Sequence, residues 1–164
     1  MRYSKEQLLA YLSDHTISYT LFTHDPLFTC DQATETIKKL RIPGIPVKNL
    51  FLKDNKKRLF LISAAFDTKI DLKTIANALD AKGLRFADEI LLMHYLGVTP
   101  GSVTPMALIN DKEHAITFII DASLLKSEYI QIHPLQNDAT VVLQPDDLIR
   151  FLKSIQKTYI VYDF

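Results

Sequence analysis

Apolar residues recur along this chain at helical spacing in some segments and at strand spacing in others, and one stretch obeys neither rule. In Val47-Lys48-Asn49-Leu50-Phe51-Leu52-Lys53-Asp54, Leu50 and Leu52 share one parity while Val47 and Phe51 share the other. Both faces of an extended segment then carry apolar side chains, the pattern of a strand covered on both sides. Its partner is Arg58-Leu59-Phe60-Leu61-Ile62-Ser63, reached through the polar turn Asp54-Asn55-Lys56-Lys57. Lys48 has the parity of Leu50 and Leu52. An ammonium group at the mouth of an apolar layer either snorkels to water or meets an anion or dipole, so Lys48 is a candidate ligand contact.

The rest of the chain arranges itself around that pair. Ser4 and Gln7 form a capping-box pattern ahead of Leu8, Leu9 and Leu12, which predicts a helix over residues 4 to 14. Tyr19 to Thr23 reads as a short strand, and His24-Asp25-Pro26-Leu27-Phe28 as a turn, because proline fixes its own φ and pushes Asp25 toward extended geometry. Thr29 and Gln32 repeat the capping pattern and open a helix to about Leu40, with Ala33, Ile37 and Leu40 on one face. Pro43-Gly44-Ile45-Pro46 then reads as an irregular loop. Asp71 caps a helix through Leu79 that Lys82-Gly83 terminates, and Asp88 caps another that stops near Gly97. Met106 to Ile109 and Ile116 to Ile120 read as a hairpin across Asn110-Asp111-Lys112-Glu113. Tyr129 to Ile132 and Ala139 to Leu143 are further strands. Asp146-Asp147 begin a last helix that buries Leu148, Phe151, Leu152 and Ile155, and Tyr159 to Tyr162 returns as an edge strand. With no linker or internal repeat, the prediction is one α+β domain over residues 1–164, with a mixed, mostly antiparallel sheet.

Composition narrows the function classes. The chain has 164 residues, 48% of them hydrophobic, enough for one sizeable core. Its formal net charge is zero, so any nucleic-acid contact must come from a local basic patch. A single cysteine, Cys30, allows no internal disulfide and points to a reducing compartment. The N-terminal residues lack a signal-peptide core and no segment reaches the ~20 apolar residues that span a bilayer, so a cytoplasmic protein without a membrane partner is expected.

Candidate chemistry is sparse. The five histidines are scattered without ligand spacing and Cys30 stands alone, so neither a metal site nor a cofactor is predicted. No Walker loop, dinucleotide fingerprint or nucleophile elbow is present. Cys30 is expected to fill the core near the start of the second helix. Two of the chain's four glycines fall in Gly97-Val98-Thr99-Pro100-Gly101-Ser102-Val103-Thr104-Pro105, which reads either as a tight connection or as a loop whose bare backbone N–H groups meet an anion. His133 ends a strand and precedes a proline, a bend that suits either a structural or a cleft-lining histidine.

Three blocks together carry more than their spacing. Lys48 to Asp54, Leu96 to Pro105 with Ala107 to Asp111, and His133-Pro134-Leu135 with Asn137-Asp138-Ala139-Thr140 resemble, in order, the YbaK/prolyl-tRNA synthetase-associated editing family, in particular its freestanding ProX/PrdX-type branch. The resemblance covers essentially the full length. It implies a curved sheet wrapped by helices, and a trans-editing enzyme that hydrolyses the ester of mischarged tRNA(Pro), most readily alanyl-tRNA(Pro). The family's lysine falls on Lys48, its glycine-x-x-x-proline loop on Gly101 to Pro105, and its histidine on His133. The segment Arg41 to Pro46 ahead of Lys48 is longer than the family pattern leads one to expect.

An aminoacyl ester is already activated, so hydrolysis needs neither a covalent nucleophile nor a metal, and positioning of water and ester supplies much of the acceleration. On that basis Lys48 contacts a phosphate or ribose hydroxyl of the terminal adenosine, with Asn49 beside it. Backbone N–H groups around Gly101 and Ser102 hold the ester carbonyl, flanked by Val103, Thr104 and Pro105. The substrate's own 2′-hydroxyl helps to position the water, and His133 orients the substrate, with Asn137 nearby. Phe28, Cys30, Ala33 and Ile37 are the expected wall of a small pocket that excludes proline by size. The partners implied are the tRNA(Pro) acceptor end and, transiently, prolyl-tRNA synthetase. Two rivals stay open: a deacylase for cysteinyl-tRNA(Pro), and a non-catalytic RNA-binding module whose basic patch would be Lys48, Lys53, Lys56, Lys57 and Arg58.

Overall fold

The computed structural model describes residues 2–164. In order, the elements are α1 (Lys5–Asp14), β1 (Thr20–Thr23), α2 (Cys30–Leu40), β2 (Ile45–Lys53), β3 (Leu59–Ala65), α3 (Leu72–Ala78), β4 (Arg85–Phe86), α4 (Glu89–Leu96), β5 (Ile116–Asp121), α5 (Ala122–Leu125), β6 (Ile130–Ile132), β7 (Ala139–Leu143), α6 (Pro145–Ser154) and β8 (Tyr159–Tyr162). The strands form one eight-stranded mixed sheet in the order β1-β7-β6-β2-β3-β5-β8, with β4 also on β2. β2 is the strand that joins its two halves. Its start pairs in parallel with β6 through Ile45 and Pro46, its length runs antiparallel to β3, and its end takes β4 at Leu52 and Lys53.

The two-faced pattern of β2 is realised. Phe51, with Val47 against it, belongs to the main core with Leu8 and Leu12 of α1, Leu92 and Leu96 of α4, and Leu148, Phe151 and Leu152 of α6. Leu52, with Leu50 against it, packs in a second cluster with Phe60, Ile62, Ile119 and Ile75 of α3. All of β3 is buried. The caps also form as read: Ser4 and Gln7 make the reciprocal box on α1, and Asp71 and Asp88 cap α3 and α4. On α2, Thr29 accepts from the Gln32 N–H, but the Gln32 amide oxygen takes the Phe28 N–H instead of closing the box.

Several expectations are corrected. Residues Pro105–Asn110 form a 3-10 helix, so there is no hairpin through Met106 to Ile109. Pro105 at the first helical position and the Thr104 hydroxyl that accepts the Met106 N–H favour the helical turn. Ile45 and Pro46 lie in β2; the edge of a parallel pair tolerates a residue without an N–H, as here. α3 ends at Ala78, and Gly83 instead makes a later turn, its φ of +69° set against the Asn55 side chain. The sheet is mixed, as expected, with four antiparallel pairings and three parallel ones, β2–β6, β3–β5 and β5–β8. β8 is the edge strand expected. β4 and α5 have no strong periodicity and were not foreseen. Among the described residues no helix is long and apolar enough to cross a membrane.

Candidate active site

A cavity of about 310 Å³ opens between α2 and the half of the sheet that contains β6 and β7. Its wall includes Phe28, Cys30, Ala33 and Ile37, the four residues expected from the sequence, together with Pro46 and Val47 of β2. α2 contributes Cys30, Ala33 and Ile37 without burying any of them fully. Cys30 is therefore exposed, and does not fill the core as its residue type suggested. Phe28 is 80% exposed at the rim.

Gly101 and His133 also line the cavity, so two of the three sequence blocks meet there. Gly101 lies in a single 3-10 turn, Pro100–Ser102. Its φ is not in the left-handed region, and a Cβ added there would stand 3.4 Å from the nearest neighbour, Asn137 Nδ2. Neither strain nor crowding demands glycine, so what the missing side chain does is leave the backbone bare toward the cavity. Ser102 is buried and its N–H donates to Thr99 O at 2.9 Å. As the second residue of the turn, Gly101 has no intrahelical acceptor for its own N–H.

The other residues of that block and of the third serve as anchors. Asn49 Nδ2 donates to Val103 O at 3.0 Å while its Oδ1 accepts from the Ser63 hydroxyl at 2.5 Å, tying the loop to the β2–β3 pair. Thr104 is buried as the cap of the following helical turn, and Pro105 is buried at its first position. Asn137 Nδ2 donates to Leu27 O at 2.9 Å and pins the 24–28 turn beside Gly101.

Lys48 is the exception. It does not line this cavity; it sits one residue beyond Val47 on the opposite face of β2, and its Nζ donates to Thr68 O. The Thr68 hydroxyl donates to Asp121 Oδ2 at 2.7 Å, which also accepts the Ala65 N–H at 3.1 Å. Burial alone would raise the Asp121 pKa. The Thr68 hydroxyl and the N–H groups of Ser123 and Ala65 outweigh it, holding the carboxyl below its usual 3.8. A negative Asp121 thus fixes the turn on which the Lys48 ammonium rests.

His133 Nδ1 lies 3.0 Å from Ala139 O. A carbonyl only accepts, so Nδ1 carries the proton and Nε2 of the neutral ring is free as an acceptor. Burial, reinforced by the nearby His24, keeps the His133 pKa below 6.5 against the pull of Ala139 O and Asp138. Gln131 and Thr140, which the sequence reading did not single out, line the cavity as well. The register that pairs Gln131 with Val142 puts Gln131 and His133 of the β6 side and Thr140 of β7 on one face.

The comparisons with known proteins agree with this architecture. A family model described as an aminoacyl-tRNA editing domain matches residues 24–151. The chain belongs to the aminoacyl-tRNA editing family. Its activity class is therefore aminoacyl-tRNA deacylation. It is 36% identical over 159 residues to the prolyl-tRNA editing protein ProX of Acetoanaerobium sticklandii, covering 95% of this chain and 94% of that one. It is also 36% identical over 162 residues to prolyl-tRNA synthetase associated domain-containing protein 1 of Danio rerio, covering 98% and 87% respectively. A solved structure described as a candidate trans-editing enzyme for prolyl-tRNA synthetase superposes with a TM-score of 0.71 over 99% of this chain and 97% of that one, at 16% identity, which speaks for the shared fold. This editing protein thus matches its relatives along nearly its whole length.

Proposed function

We propose that this chain acts as one trans-editing unit in the cytoplasm, hydrolysing the ester of mischarged tRNA(Pro) and acting best on alanyl-tRNA(Pro). The observation that carries the reading is the convergence of Gly101 and His133, distant in sequence, on a cavity walled by Ala33, Ile37 and Val47. In this reading the aminoacyl group enters against that apolar wall. The free Gly101 N–H meets the ester carbonyl as negative charge develops on it. The Ser102 N–H, committed to Thr99, contributes by holding the turn. Lys48 stands at the other side of β2, where its ammonium leaves the Thr68 carbonyl for a phosphate or ribose hydroxyl of the terminal adenosine. The attacking water is positioned with help from the substrate's own 2′-hydroxyl. Selection against proline would come from its size, sensed at the wall that α2 provides.

The test is the rate at which purified protein strips alanine, cysteine, serine and proline from tRNA(Pro), each beside Lys48→Ala. Fast loss of alanine, proline spared, and a collapse of turnover in a folded Lys48→Ala protein are the expected results. Near-normal turnover in that variant would remove Lys48 from the site. A cysteine or serine preference is the second reading, favoured by Thr29 and Thr36, which place hydroxyl-bearing residues in the same wall. A transient complex with prolyl-tRNA synthetase would supply affinity that a chain of zero net charge lacks.

A further inference from the structure

On the sheet side of the cavity, three side chains have spent every hydrogen-bond donor on the protein itself. Gln131 Nε2 faces the carbonyls of Ile42, Pro43 and Gly44 at 3.2, 3.0 and 3.2 Å, so its amide is oriented with Oε1 as the unspent end. His133 Nδ1–H is given to Ala139 O. The third case runs through His24, whose Nδ1 lies 2.8 Å from Asp25 O and so carries the ring's proton. His24 Nε2 is then an acceptor, and Thr140 Oγ1 at 2.9 Å must donate to it. Thr140 is only 6% exposed, and its remaining hydrogen-bonding capacity is the pair of lone pairs on Oγ1.

We propose that Gln131 Oε1, His133 Nε2 and Thr140 Oγ1 together receive the α-ammonium group of the aminoacyl ester. Three acceptors and no free donor on one face of a partly desolvated cavity match a group with three N–H bonds and a positive charge. Such a group is expensive to bury unless each proton finds a partner. The set lies on the β6 and β7 strands, and Gly101, whose backbone would meet the ester carbonyl, lines the same cavity. His24 is a positioning residue here: it never meets the substrate, and it keeps the Thr140 hydroxyl proton turned away from the ligand, so that Oγ1 faces it as an acceptor. The inference rests on the deacylase reading of the cavity, and specifies which end of the aminoacyl group faces the strands. Alanine, serine and cysteine esters all carry this ammonium, so the contact confers binding, whereas the α2 wall confers choice.

Binding of a non-hydrolysable amide tests it independently of catalysis. The probe is 3′-alanylamino-3′-deoxyadenosine, alongside its N-acetyl derivative, which lacks the ammonium; affinities are read by NMR shift titration of wild type, Thr140→Val and Thr140→Ser. Thr140→Val should weaken the amine probe by roughly tenfold to a hundredfold, the range for losing a hydrogen bond to a charged group. The same variant should leave the weaker N-acetyl probe unchanged, and Thr140→Ser should restore amine binding. Equal binding of the two probes by wild type, or equal weakening of both by Thr140→Val, would overturn the proposal. Deacylation assays on the same proteins keep the two readings apart: a wild type that binds the amine probe through Thr140 yet strips no tRNA would sink the editing function and leave the ammonium contact standing.

Discussion

His133 carries the sharpest pH consequence. Its folded pKa lies below 6.5 because burial disfavours the charged ring, so the native state holds the neutral form. The unfolded chain takes up that proton first as pH falls, and the stability His133 contributes is complete above about 6.5 and declines below it. In the site, protonation turns Nε2 from acceptor into donor and sets a positive ring beside the substrate ammonium. Deacylation should therefore fall on acidification through the lowered pKa, and the His133 ring resonances should titrate with a midpoint under 6.5. A midpoint at or above that value would contradict the burial of the ring. His133 was legible as a strand-ending residue before proline, but its tautomer was not, since that depends on the Ala139 carbonyl reaching it from β7. Thr140 and Gln131 were passed over for the same reason: a threonine or glutamine in a strand announces nothing until its donors are traced.

The elements divide by how local their causes are. α1, α3 and α4 follow their capping residues, and β2 follows its parity, because those signals act within a few residues. The run after Thr104 was misread because Met106 to Ile109 is apolar at every position and suits a buried strand or a buried helical turn equally. Distant contacts add to the local Thr104–Pro105 signal: Asn110 accepts the Tyr3 N–H at 2.9 Å and donates to Leu96 O at 2.8 Å, tying the turn to α4 and to the residues ahead of α1. The turn's end depends on a buried ion pair. Lys157 Nζ lies 2.9 Å from Asp111 Oδ2, with both side chains almost wholly buried, and Asp111 also accepts the Ala115 and Ile116 N–H groups at 2.9 and 3.0 Å. Lys157→Met leaves that carboxylate buried without its counter-charge, a change worth about 3–5 kcal/mol. Urea unfolding should show the midpoint drop at unchanged slope; a loss under about 1 kcal/mol would mean that the backbone N–H groups alone satisfy Asp111.

The molecule as a whole is two half-sheets sharing β2, and acidic anchors hold the joins. Asp54 closes the β2–β3 turn and Asp121 fixes the turn after β3. Burial would raise both carboxyls, but Arg58 and backbone N–H groups at Asp54, and the Thr68 hydroxyl with backbone N–H groups at Asp121, hold both below 3.8. A depressed carboxyl stabilises the fold above the unfolded value and loses that contribution as pH falls through the folded one. Unfolding midpoints should thus drop steeply below about pH 3.8, and Asp121→Asn should flatten part of that dependence. An unaltered acid slope in that variant would show Asp121 to be unlinked to folding. From the residues in order came the α+β class, the β2–β3 hairpin, the cap positions and the apolar wall on α2, since periodicity and capping are encoded within a turn or two. Three-dimensional folding alone assigned Lys48 to the face away from the cavity, committed the Ser102 N–H to Thr99, and turned Gln131, His133 and Thr140 into acceptors. Each of those depends on which atom a distant strand or loop presents, and that is a property of register and packing, invisible to spacing along the chain.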